Sequence, residues 1–146
     1  MKYSKLFAAV ILSALFAFSS IAQAQTAKTD WHAFSVNLVK AVKSGNPGLQ
    51  QSAMQRIIQY ADKLDVDNAV YTIARIYGFH PDPRFRRLAM VTLYKINTDK
   101  SLAYLQKYLA YEDNESFKRQ ACRMIQDFKI ARKAAKENES VADIVR

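Results

Sequence analysis

One helix start is written three times in this chain, and that repetition limits the fold more than any other feature. The copies are "SGNPGLQQSAMQRIIQY" (44–60), "HPDPRFRRLAMVTLYKI" (80–96) and "YEDNESFKRQACRMIQDF" (111–128). Aligned on Asn46, Asp82 and Asn114, they recur at spacings of 36 and 32 residues. Each of these side chains carries an oxygen able to accept from the free N–H groups of a following helical turn. Pro47 and Pro83 come next, where a missing N–H costs nothing and the fixed φ suits a helix. In the third copy Glu115 takes that place, where a negative charge favours the helix start.

Down each copy, residues of one apolar face follow the cap at offsets of 3, 7, 11 and 14. The columns are Leu49, Phe85 and Phe117, then Ala53, Ala89 and Ala121, then Ile57, Leu93 and Ile125, then Tyr60, Ile96 and Phe128. The small Ala in mid-helix lets a neighbouring helix approach closely. A helix pair with one apolar face cannot bury it alone, so the repeat predicts pairs stacked over a shared core.

The rest of the chain agrees with a helical reading. Gly and Pro number three each, and no stretch alternates with a strand's period. Apolar spacing predicts six helices, over 30–43, 47–64, 67–77, 83–96, 99–111 and from Glu115 into "KIARKAAKE". Thr98 can cap the fifth. Residues 138–146 read as a frayed tail or a terminal cap. Short connections fold neighbouring helices into antiparallel hairpins. The expected fold is all-α, a short α-solenoid of three stacked antiparallel helical hairpins.

The stretch "DPRFRRLAMVTLYKINTDKSLAYLQKYLAYEDNESFKRQACRMI" resembles the bacterial HEAT-like repeats. Their second helix opens with Asp-Pro, an apolar residue and Arg, with a small residue further along. Here those are Asp82, Pro83, Phe85, Arg86 and Ala89; in the first copy Asn46 and Gln50 replace Asp and Arg. The spacings are shorter than the ~40–47 residues usual for HEAT repeats and nearer to tetratricopeptide lengths. The Trp-Leu-Gly-Tyr framework of tetratricopeptide repeats is absent, which leaves that fold as the alternative. The resemblance implies a solenoid that binds along its inner face; it does not imply an enzyme. It also implies a structural role for Arg86 and Lys118, reaching a capping acid of a neighbouring layer, with Asp82, Asp113 and Asn114 available.

The N-terminus reads as an export signal. Lys2 and Lys5 precede an uncharged run over residues 6–22, and Ala22-Gln23-Ala24 offers a cleavage site before Gln25. Retention as a membrane anchor is the alternative. Cleavage would leave residues 25–146 as one domain in the periplasm or outside the cell. That part holds 20 basic and 13 acidic residues, a net charge of +7. A basic exported chain points away from nucleic acid and towards anionic lipid headgroups, acidic polysaccharide or an acidic protein face. The plainer reading is that the charge keeps it soluble. With one cysteine, Cys122, no intrachain disulfide can form. Cys122 aligns with Met54 and Met90, a column that reads as adaptable apolar filler; a reactive thiol near Arg119 and Arg123 is the alternative.

Candidate binding residues lie off the apolar stripe. At matching positions the copies carry Gln51, Gln55 and Ile58, then Arg87, Val91 and Tyr94, then Arg119, Arg123 and Gln126. If the repeated helices line the inner face, as the resemblance implies, that face is neutral in copy one and basic in copies two and three. Arg and Tyr dominate binding hot spots, and Arg grips carboxylates in a bidentate way. The competing reading is a solvated helix face. The expected function is non-enzymatic binding of an acidic protein segment; the alternative is a peripheral binder of anionic lipid or polysaccharide. His32 and His80 lack the further ligands a metal needs, and no cofactor motif or catalytic set appears. The tyrosines 71, 77, 104, 108 and 111 read as core rings with wet hydroxyls, or as a second contact surface.

Overall fold

The computed structural model describes residues 29–144. The expected signal peptide, residues 1–24, lies outside them. Among the described residues there is no strand. Six α-helices follow one another: α1 (Trp31–Lys43), α2 (Pro47–Tyr60), α3 (Val70–Phe79), α4 (Pro83–Ile96), α5 (Asp99–Leu109) and α6 (Glu115–Ile144). Single 3₁₀ turns at Ala61–Lys63 and Asp67–Ala69 end α2 and lead into α3. No helix among the described residues is long and apolar enough to cross a membrane.

The repeated starts form as local chemistry dictates. Asn46 Oδ1 accepts from the Leu49 N–H at 3.2 Å. Asp82 Oδ1 accepts from Arg84 N–H at 2.8 Å. Asn114 Oδ1 accepts from Ser116 at 2.9 Å and Phe117 at 3.2 Å. Thr98 and Ser101 exchange bonds in a capping box at the start of α5. Asn97 ends α4 in the left-handed region, φ 56°, which Asn tolerates better than most side chains. His80 is a turn residue: its Nδ1 accepts from Asp82 N–H at 3.1 Å, and its ring stacks on Phe85.

Each helix of the pairs α1/α2, α3/α4 and α5/α6 packs on its partner. The odd helices also touch in succession, α1 to α3 to α5, and the even helices likewise, α2 to α4 to α6. The even helices contribute to the core through the predicted columns, and α3 adds Val70, Ile73, Ala74, Ile76 and Tyr77. Ala53, Ala89 and Ala121 are buried at the crossings of α2, α4 and α6, with Ile57, Leu93 and Ile125 beside them.

Two columns depart from expectation, and for one reason. Phe85 and Phe117 are buried, but Leu49 is 51% exposed. This column faces back towards the preceding even helix, and among the described residues α2 has none. Met54 and Met90 are fully buried, whereas Cys122 is exposed. The filler reading of Cys122 is therefore corrected: its column faces forward, and among the described residues no helix follows α6. Residues 138–144 of the predicted tail or cap are helical and continue α6. An aromatic cluster covers the first pair, where Trp31 lies 5.4 Å from Tyr60 and 6.1 Å from Phe34.

Candidate functional site

Between α4 and α6 runs a groove of about 500 Å³. Arg87 and Tyr94 line it from α4, and Ser116, Arg119, Gln120, Arg123, Met124 and Asp127 from α6. Four predicted residues, Arg87, Tyr94, Arg119 and Arg123, thus come together. Val91 is half-buried on α4 and Gln126 is exposed on α6, and neither lines the groove. Ser116, Gln120, Met124 and Asp127 were not anticipated. They form a stripe on α6 turned slightly from the one that alignment with α4 selects; reading α6 alone at intervals of three and four would have exposed it.

The electrostatics follow from the composition of the two walls. Among the described residues, Arg87, Arg119 and Arg123 make no ion pair. Asp127 is the one acid lining the groove, against three guanidinium groups. Arg87 is held in place: its guanidinium lies 5.0 Å from the ring centre of buried Phe117, a favourable cation–π distance. Tyr94 presents a half-buried ring, with Lys95 Nζ 6.0 Å from its centre. The arrangement suits a ligand with carboxylates and some apolar surface.

The arm behind this groove is the Arg86 side chain. Its Nε donates to the carbonyl of Tyr77 at 2.9 Å, near the end of α3. Its Nη2 pairs with Glu112, which is buried. Glu112 also accepts from the Asn114 N–H at 3.1 Å, the cap of α6. Arg86 does reach an acid of the next pair, but that acid is Glu112 rather than Asp82, Asp113 or Asn114. Gln50, the equivalent of Arg86, donates to the carbonyl of Val42 at 2.9 Å. Position four of the repeated helix therefore closes the end of the preceding helix in both copies, and Arg86 adds a cross-pair tie. Lys118 differs from its predicted role. It pairs with Glu115 in its own helix at 3.3 Å, since among the described residues no further pair offers it an acid.

Tyr77 sits beside this network. Its side chain is fully buried, and its hydroxyl has no hydrogen-bond partner among the described residues. Burial pushes its pKa up to about 12, and the nearby Glu112 carboxylate adds to the rise. An unfolded Tyr titrates near ~10. The folded value is higher, so this contribution to stability is intact below about pH 10 and is lost as pH rises towards about 12. Tyr77→Phe is expected to be neutral or up to ~1 kcal/mol stabilising at neutral pH, because an unpaired buried hydroxyl leaves. Near pH ~11 its alkaline loss of stability should be smaller than the parent's by ~1.4 kcal/mol. Urea unfolding at neutral pH and near pH ~11 checks both halves, and a destabilised variant at neutral pH would mean that the hydroxyl has a partner.

No family model, no characterised protein and no solved structure matches this chain significantly.

Proposed function

We propose that this chain is an exported, non-enzymatic binding module, a short HEAT-like α-solenoid that holds an acidic segment of a partner protein in the α4–α6 groove. The observation that carries the reading is the convergence of Arg87, Arg119 and Arg123, free of ion pairs among the described residues, around Tyr94. Unpaired guanidinium groups on two rigid helices are pre-organised for bidentate contacts to carboxylates. Tyr94 and Met124 supply apolar contact area beside them, which a purely ionic surface would lack. The succession of helix contacts, α2 to α4 to α6 and α1 to α3 to α5, is what stacked hairpins require.

The test uses three probes: an acidic peptide of Glu interspersed with Leu and Phe, phosphatidylglycerol vesicles, and polygalacturonate. Each is titrated into residues 25–146 and into the triple variant Arg87→Glu, Arg119→Glu, Arg123→Glu. All three side chains are exposed, so the variant should melt within ~1 kcal/mol of the parent. The peptide is expected to bind the parent, to lose roughly tenfold or more in affinity with the variant, and to keep part of its affinity in high salt. Binding of vesicles or polygalacturonate alone, abolished by salt, would replace the protein partner with a lipid or polysaccharide. Equal binding by parent and variant would make the groove an ordinary solvated face.

A further inference from the structure

A second cavity, of about 410 Å³, opens between the ends of α3 and α5, away from the groove. We infer that it is a binding site for a small aromatic anion, a molecule of one or two rings bearing a carboxylate or sulfonate.

Its volume falls within the ~300–1,000 Å³ of small-molecule sites. Its walls are aromatic: Tyr77, Phe79, Tyr108 and Tyr111. Phe79 and Tyr108 meet edge to face at 5.4 Å, and Tyr77 and Tyr108 do so at 6.0 Å. A further ring adds to such a set by the same offset and edge contacts. Gly78 makes the wall possible. A Cβ there would lie 2.8 Å from the Tyr108 ring, so only glycine lets that ring rest against α3. The folded core does not account for the mouth of the cavity, where Phe79 is 71% and Tyr111 78% exposed.

Charge selects the anion. Arg86 and Glu112 line the cavity but neutralise each other. Lys107, also in the lining, makes no ion pair among the described residues. The cavity therefore carries one uncompensated positive charge beside its rings.

The repeat supplies an internal comparison. The corresponding crevice between the first two helix pairs is lined by Gln50, Arg75, Ile76, Phe79 and His80, among others. These match Arg86, Lys107, Tyr108, Tyr111 and Glu112 in turn. The cation is kept in both. Ile76 is buried, so packing at this position is met by an aliphatic side chain. In the second crevice that position is Tyr108, a half-buried ring that packs on α3 and also lines the cavity.

Anilinonaphthalene sulfonate is the probe, titrated by fluorescence, with neutral phenylnaphthylamine beside it. The sulfonate is expected to saturate one site. Lys107→Glu should weaken it roughly tenfold and leave the neutral dye unchanged. Phe79→Ala should weaken both dyes by about fivefold. Both side chains are exposed, so melting is expected to hold; should one variant unfold, the other decides. The triple Arg→Glu variant of the groove should bind as the parent does. Absence of a saturable site overturns the inference. So does binding that survives Lys107→Glu and Phe79→Ala, or that is lost in the groove variant instead.

Discussion

Arg86→Ala is expected to destabilise the fold by about 3–5 kcal/mol. Arg86 is the only partner that neutralises Glu112 among the described residues, and the Glu112 side chain is 3% exposed. Truncation strands a carboxylate away from water and leaves the Tyr77 carbonyl without its donor. The reverse substitution, Glu112→Ala, should cost less, about 2 kcal/mol, because Arg86 is 24% exposed and can turn its charge to solvent. Arg86→Met with Glu112→Leu should recover most of the loss, since apolar replacements of a buried pair are often neutral. Urea unfolding followed by helical circular dichroism measures all three. Costs for Arg86→Ala below ~1 kcal/mol would place the pair among ordinary surface contacts.

The second large effect is steric. Ala89→Leu should cost about 3 kcal/mol, the upper end for overpacking. Ala89 is fully buried on α4, which packs against α2, α3, α5 and α6. Few of those neighbours can move without disturbing another. Ala121→Leu should cost only about 1 kcal/mol although Ala121 is equally buried, because α6 packs on α4 and α5 and can shift outward. Thermal melts of the two variants give the comparison directly. Equal losses would mean that α6 is held as rigidly as α4.

The helix starts were readable because a cap is local chemistry: an oxygen, a proline and the next few N–H groups settle it within one turn. The break after Tyr60 was not, for Ala61–Lys63 contains neither Gly nor Pro, and what ends α2 there is not written in its composition. The groove was half legible. Positions on α4 and α6 could be aligned through the repeat, but alignment transfers a face from one helix to another and misses any turn between them, which is why Gln120 and Asp127 escaped notice. Glu112 was passed over for a different reason. Its counterpart in the preceding copy is His80, a turn residue, so nothing in the column announces a buried acid. Cys122 shows the limit of the column argument: identical positions bury alike only where the same neighbours exist. The aromatic cavity draws on residues 77–79 and 107–112, two helix ends that no single helical pattern connects.

Two aliphatic surfaces in contact can slide. One row of side chains looks much like the next, and a slip of one helical turn moves a helix by only about 5.4 Å. Between the second and third helix pairs such a slip is blocked at both edges. Arg86 meets Glu112 at one edge. At the other, Asp67 receives Thr98 Oγ1 and Lys100 Nζ, each at 3.3 Å. A shifted register would leave Glu112 dry and unneutralised while pulling Asp67 from Thr98 and Lys100. The polar contacts thus act as indexing pins. They set which turn of α6 stands opposite which turn of α4, and hence bring Arg87 level with Arg119 and Arg123.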